Sequence, residues 1–376
     1  MIFKGKKIIS GLLALLFAGT MFFAVAACKK AEPPVKVGFI GCLTGRSADL
    51  GIAGRDGFLL AVQEKNVAGG IAGRQIVPVV RDDALDAEAG KQALQELFRE
   101  GVSFVVGPMT SELAINLVPL ANAAAVPLIS PTVSTNKLIG VDDYFFRVYY
   151  ANSQAAVAMA AHIGELGLKK VAVLYDTRNR AYTEDWVRIF SNRFAVAGRS
   201  VELVPFTAAT AGTFEAITAD LKSKGPDGLL ILANSIDTAL ICQQAYKLEL
   251  KIPRFATGWS YGSKLTTYGG KSVEGLVVVQ SVNLKKERAE TRLFVDAFRA
   301  AYFADPTFPA VHAFDATRLG LMALEGSGGE RSLKEQVLSI DSFPGVVQNF
   351  SLDEFGDVVN PPIYFMEIDE AVLLAL

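Results

Sequence analysis

Val35-Lys-Val-Gly-Phe-Ile-Gly41, followed by Cys42-Leu43-Thr44-Gly45-Arg46-Ser47, decides how this chain is read. Seven residues rich in β-branched and aromatic side chains, ending in a small polar loop, have the pattern of a buried strand. A helix-length segment, Gly54–Asn66, comes next, then a strand at Gln75–Arg81 and a helix at Ala87–Glu100. Strands at Val102–Val106 and Val126–Ile129 bracket a helix at Glu112–Ala124. The alternation then restarts: helix Ser153–Leu166, strand Lys170–Tyr175, helix Thr183–Ala197 and strand Ser200–Pro205. Helix Thr213–Ser223, strand Gly228–Leu232, helix Thr238–Lys247 and strand Arg254–Thr257 complete a second series. Strands alternating with covering helices mean parallel sheets wrapped on both faces, an α/β doubly wound architecture. Two series argue for two lobes. A barrel would need about eight uninterrupted units, and the helical segment Glu287–Ala304 and the irregular end fit one poorly.

Length agrees, since 376 residues exceed one ordinary core. The first 28 residues set the compartment. Lys4, Lys6 and Lys7 precede an apolar run from Ile8 to Phe23, closed by Val25-Ala26-Ala27-Cys28. Charge, apolar stretch and small-residue cleavage site form an export signal over residues 1–27; the rival reading is an uncleaved membrane anchor. Cys28 stands where a lipid would be attached, and residues 28–34 form a short tether. The expected location is periplasmic or extracytoplasmic, with the membrane reached only through the lipid.

Charge is balanced, with 37 basic and 39 acidic residues and no basic run, so nucleic acid is not an expected partner. Cys42 and Cys242 read as two buried, unpaired thiols. The two histidines, His162 and His312, have no motif-spaced nucleophile beside them. There is no Gly-x-Gly-x-x-Gly loop and no spaced Cys/His cluster. No enzyme, cofactor or metal is expected.

Ligands of open α/β sheets sit beyond the carboxyl ends of the strands. Three loops there are rich in hydroxyls: 42–47, Gly107-Pro108-Met109-Thr110-Ser111-Glu112 and Ser130-Pro131-Thr132-Val133-Ser134-Thr135-Asn136. Ser111 falls at a helix start, where an anion is favoured; taken alone it reads first as a plain N-cap.

An ordered set of short motifs makes the chain resemble the leucine/isoleucine/valine-binding family of solute receptors for ABC importers. They are Val37-Gly38-Phe39-Ile40 with Leu43-Thr44-Gly45, Gly69-Gly70-Ile71-Ala72-Gly73-Arg74, Arg81-Asp82-Asp83, Gly101-Val102 with Val105-Val106-Gly107, Val126-Pro127-Leu128-Ile129-Ser130-Pro131 and Phe146-Arg147-Val148. Glu274-Gly275, Phe314-Asp315-Ala316 and Phe350 with Asp353, Gly356 and Asp357 continue it. The resemblance implies a periplasmic-binding-protein fold of type I. Its lobes would be 35–149 plus 282–346 and 150–281 plus 347–376, joined by crossings near Val148–Asn152, Val279–Val282 and Val346–Phe350. It implies a monomer that traps a small carboxylate between the lobes and docks on ABC permease subunits. A sensor of the same fold, signalling to a membrane receptor, is the alternative.

Carried over one by one, Ser111 matches the hydroxyl that meets the ligand carboxylate, Thr132 a backbone contact, Ser134 a second hydroxyl and Tyr182 a covering tyrosine. Asn234 and Leu50 fall where relatives often carry aromatics. Ala84 and Thr110 stand where relatives have paired cysteines. Gly258-Trp259-Ser260-Tyr261-Gly262 lacks the acidic residue that pairs with an amino acid's ammonium. Either Asp237 or Glu184 supplies that charge, or the ligand has no α-ammonium. Trp259, Tyr261 and Tyr182 suit a flat apolar body, with Ser260 beside them.

Overall fold

The computed structural model describes residues 32–196, 198–207, 211–285, 288–326, 331–369 and 372–375. The expected export segment 1–27 and Cys28 lie outside them. In chain order the first series is β1 (Val35–Gly41), α1 (Ala48–Val67), β2 (Ile76–Asp82), α2 (Ala87–Arg99), β3 (Val105–Val106), α3 (Ser111–Ala124), β4 (Leu128–Ser130) and β5 (Phe145–Arg147). The second is α4 (Asn152–Glu165), β6 (Lys170–Asp176), α5 (Arg180–Phe194), β7 (Ser200–Phe206), α6 (Ala211–Lys224), β8 (Gly228–Leu232), α7 (Ser235–Lys247), β9 (Arg254–Ala256), α8 (Ser263–Gly269) and β10 (Leu276–Gln280). After it come α9 (Ala289–Tyr302), α10 (Phe308–Gly326), α11 (Leu333–Leu338), β11 (Phe343–Pro344), β12 (Asn349–Phe350), β13 (Tyr364–Asp369) and β14 (Val372–Ala375).

Among the described residues the first series builds a five-stranded parallel sheet in the order β2-β1-β3-β4-β5, and β1 pairs β2 from Val35↔Ile76 to Gly41↔Asp82. The second builds a seven-stranded sheet, β14-β13-β10-β9-β8-β6-β7. Its five parallel strands repeat the order of the first sheet, so both sheets reverse direction at the same place: between β1 and β3, and between β6 and β8. The expected parallel lobe is extended by β13 and β14, which pair antiparallel at its edge. The chain passes between the sheets three times: after β5, after β10, and between α11 and β13. These are two doubly wound lobes on three crossings.

Local chemistry explains the elements. In α2, Asp86 caps the start by accepting from the Glu88 and Ala89 N–H groups, and Gly90, Ala93, Leu94 and Leu97 form the buried stripe. α10 is buried on nearly every side and lies against α1. There a Cβ on Gly57 would stand 2.1 Å from the Ala310 carbonyl oxygen, so the two helices meet backbone to backbone. α1 begins at Ala48 rather than at Gly54. Gly51 reads as a loop residue by propensity, yet its added Cβ would stand 2.0 Å from the Cys42 carbonyl oxygen. Close packing against the end of β1 overrides propensity there.

Cys42 and Cys242 are buried and unpaired. His312 is buried with its Nε2 2.7 Å from the Ser281 hydroxyl, and burial pushes its pKa down to about 3. His162 stacks on Phe365 at 4.3 Å. Both histidines are therefore packing residues. Among the described residues no helix is long and apolar enough to cross a membrane, and no group of acidic, cysteine and histidine side chains could hold a metal.

Candidate functional site

The two reversal points face each other, as the rule for doubly wound sheets requires of a ligand crevice. Loops after β1, β3 and β4 meet loops after β6, β8 and β9. Contacts across the crevice are direct: Glu112 N–H donates to Asn179 Oδ1 at 3.0 Å, and Ala181 N–H to Glu112 Oε2 at 2.9 Å. Asn136 N–H donates to Asp185 Oδ2 at 2.7 Å. Arg46, after β1, forms an ion pair of 2.8 Å with Asp237 of α7. The Ser235 hydroxyl donates to Asp49 of α1. A Cβ on Gly262 would stand 2.1 Å from Asp49 Oδ2, so this glycine permits the approach. The lobes are closed on one another.

Between them lies a cavity of about 20 Å³ lined by Leu50, Met109, Thr110, Ser111, Thr132, Tyr149, Asn179, Tyr182, Trp259 and Phe308. Four of the seven residues expected at the site line it: Ser111, Thr132, Tyr182 and Trp259. Ser111 is not the cap of its helix. It is the first helical residue, Thr110 takes the cap position, and Ser111 Oγ instead accepts from the N–H groups of Ser134 (3.3 Å) and Thr135 (3.2 Å). With two donors already pointing at its oxygen, the hydroxyl keeps its own proton to donate. Thr132 turns its hydroxyl back onto the Met109 carbonyl at 2.6 Å, and its N–H lies 3.4 Å from Ser130 Oγ. Tyr182 and Trp259 meet edge to face at 5.5 Å. Burial raises the Tyr182 phenol well above its usual range, so it remains a neutral donor.

The other three are set back. Ser134 is buried, its Oγ without a hydrogen-bond partner, behind Ser111. Asn234 is the N-cap of α7, accepting from Asp237 N–H at 3.0 Å and donating to the Asp237 carboxylate at 2.7 Å. Ser260 donates to the Ala233 carbonyl at 2.9 Å and accepts from Thr238 at 3.0 Å, both inside its own lobe. A short polar residue just before a helix is a cap signal, and for Asn234 that signal outranks the positional match.

The two acids considered as ammonium partners do not reach the cavity. Asp237 is fully buried and bonded to Arg46, Arg178 and Asn234. Glu184 is exposed beside Arg180 at 3.6 Å. No carboxylate is among the lining residues. Sequence reading did not single out Tyr149, Asn179 or Phe308. Asn179 ends the β6 loop at the reversal point, which could have marked it; Tyr149, beside the first crossing, and Phe308, at the start of α10, carry no such signal.

A profile of the periplasmic binding protein family matches residues 34–371. A leucine-, isoleucine-, valine-, threonine- and alanine-binding protein of Pseudomonas aeruginosa is 24% identical over 353 residues, covering 93% of each chain. The branched-chain amino acid transporter substrate binding protein of Streptococcus pneumoniae, solved with isoleucine, superposes with a TM-score of 0.85 at 26% identity, over 91% of this chain and 99% of that one. A solute binding protein of an ABC transporter from R. palustris, solved with benzoate, gives 0.83 at 23% identity, over 91% and 95%, and shares the fold. With its two doubly wound lobes, three crossings and closed crevice, the chain belongs to the periplasmic binding proteins of the branched-chain amino acid type, a family of solute-binding proteins and not of enzymes.

Proposed function

We propose that this protein captures a small carboxylate that lacks an α-ammonium, an aromatic or aliphatic acid, and delivers it to an ABC importer. One observation carries the choice: the cavity offers hydroxyl donors and aromatic faces, and no carboxylate lines it. A buried ammonium with no partner is heavily penalised, whereas a carboxylate gains from the Ser111 hydroxyl and the start of α3. The amino acid in the Streptococcus pneumoniae complex also carries a carboxylate, so that half of the recognition is common ground.

In this reading the lobes are 35–149 plus 282–346 and 150–281 plus 347–376. Capture is a hinge closure about the three crossings, and the closed form is what a permease would recognise. Cys28 carries a lipid that holds a monomer at the membrane surface outside the cytoplasm. Changing Cys28 to serine should abolish radiolabelled palmitate incorporation; continued labelling would remove the anchor from this account.

The site is tested by calorimetry with benzoate, aliphatic acids and the common amino acids. Amine-free acids should bind and α-amino acids should not. Ser111→Ala with Ser134→Ala should weaken acid binding by about 3 kcal/mol, since each hydrogen bond to a charged group is worth roughly 1.5–3 kcal/mol and Ser134 stands one step back. Unchanged affinity in the double variant would sink the assignment.

A further inference from the structure

Phe308 lines two cavities at once. On one side is the 20 Å³ space beside Ser111; on the other is a chamber of about 410 Å³. Ligand pockets commonly span a few hundred cubic ångströms, while a space of 10–15 Å³ holds one water. With the lobes closed, the smaller space therefore suits a head group and has no room for the body of a ring-bearing acid. The larger chamber has apolar walls at Val282, Leu284, Val295 and Met366. Met366 comes from the seven-stranded sheet and Val295 from α9, so the chamber, like the crevice, is built by both lobes.

Gln280, the last residue of β10, also lines the chamber. Its side chain is fully buried, and neither its amide nitrogen nor its amide oxygen has a hydrogen-bond partner. Burying both ends of a primary amide unpaired is costly, and native structures rarely leave such groups without a role. An amide offers one donor edge and one acceptor edge side by side. A hydroxyl or carboxamide on a ligand can satisfy both; a second carboxylate or an ammonium can satisfy only one. Lys285, Arg292, Asp296, Arg299 and Asp305 also line the chamber; Arg299 and Asp305 pair at 2.6 Å, and the basic residues outnumber the acids, so the rim does not favour an ammonium.

We propose that the chamber beyond Phe308 is the second compartment of the ligand site, and that the preferred ligand is an extended aromatic monocarboxylate with a neutral hydrogen-bonding group at its far end, read by Gln280. This rests on the carboxylate reading of the Ser111 cavity. In it Phe308, packed on Tyr149 at 5.4 Å, is the partition that swings as the ligand's body passes.

The test is calorimetry on the full-length protein with three probes: benzoate, 3-phenylpropanoate and 3-(4-carbamoylphenyl)propanoate. The carbamoyl acid should bind roughly tenfold more tightly than 3-phenylpropanoate, the worth of one net hydrogen bond or slightly more. Gln280→Leu should erase that ratio and leave 3-phenylpropanoate unchanged. Val295→Trp, which fills the chamber from the opposite wall, should weaken both extended acids more than benzoate, which reaches less far into it. Ser111→Ala should weaken all three acids alike, and failure of that result counts against the head-group site instead. Equal affinities for the two extended acids, or a ratio that survives Gln280→Leu, overturns the second compartment.

Discussion

The two faces of the crevice use the same strand order and spend their polar groups differently. On the five-stranded side, the loops after β3 and β4 leave hydroxyls and backbone at the cavity: Ser111 accepts from its neighbours and keeps a proton to donate, and Thr132 turns its hydroxyl inward. On the seven-stranded side, the charge sits one layer back. Asp237 is held by Arg178 of its own lobe and Arg46 of the other, and only Tyr182, Trp259 and Asn179 face the cavity. An acid that the sequence offers as an ammonium partner is here part of the contact that closes the lobes. The difference separates two jobs, recognition on one face and closure on the other.

The largest effect should come from removing Asp237. Breaking a buried ion pair by deleting one partner typically costs 3–5 kcal/mol, because the remaining charges stay desolvated. Asp237→Ala should therefore lower the unfolding free energy measured in urea by that amount, with Arg46 and Arg178 left facing each other's charge. Arg46→Ala should cost less, since its side chain is 36% exposed. If Asp237→Ala instead left stability unchanged and altered ligand choice alone, the separation of jobs between the two faces would collapse.

A second buried carboxylate sharpens the contrast. Asp315 in α10 accepts from Val346 N–H at 3.0 Å, near the third crossing, and its nearest guanidinium, Arg318, is 3.8 Å away. Burial pushes its pKa up to about 7. The folded protein then holds a proton that the unfolded chain has already lost near pH 4, so stability falls as pH rises from about 4 to about 7. Asp83, pushed by burial to about 6, works in the same direction. Asp315→Asn mimics the neutral form and keeps an acceptor for Val346. It should gain on the wild type steadily across that window in urea melts taken at successive pH values. A constant difference would mean that Asp315 does not titrate there.

Most of this architecture was legible before any coordinates, because alternating β-branched runs and amphipathic segments are a periodic signal. Val35–Gly41 and Gly228–Leu232 fall where the pattern put them. Helix starts were less legible. α1 and α7 begin earlier than expected because Gly51 is set by close packing and Ser235 follows an Asn cap. A last strand at Pro362–Ile368 is legible after the turn at Asp353–Asp357 and forms as β13, but its antiparallel pairing and β14 have no pattern of their own. For the cavity, hydroxyl residues at strand ends could be named, but which way a side chain turns could not. Ser260 and Asn234 share the composition of ligand contacts and are used up inside their own lobe. Phe308 and Gln280 became visible only when burial and cavities could be measured.

A smaller effect tests the aromatic part of the second face. Trp259 packs edge to face on Tyr182, and such pairs add about 0.5–1.5 kcal/mol beyond area burial. Trp259→Leu should weaken benzoate by about 1 kcal/mol while affecting a short aliphatic acid less. Equal losses for both acids would show that Trp259 shapes the cavity without reading a ring.

The smallest effect is the most pointed. Glu184 is the remaining acid on that face that sequence reading offered as an ammonium partner, and its side chain is 55% exposed beside Arg180. Exposed pairs contribute little, so Glu184→Gln should move stability by less than about 0.5 kcal/mol and leave every ligand's affinity where it was. The two faces then differ as described: donors for a carboxylate on one, no charge for an ammonium on the other. A variant that kept benzoate but selectively lost leucine or another α-amino acid would show that Glu184 swings into the crevice when such a ligand is present. In that case the missing acid of the Trp259 loop has been replaced from α5, and the ligand class returns to amino acids.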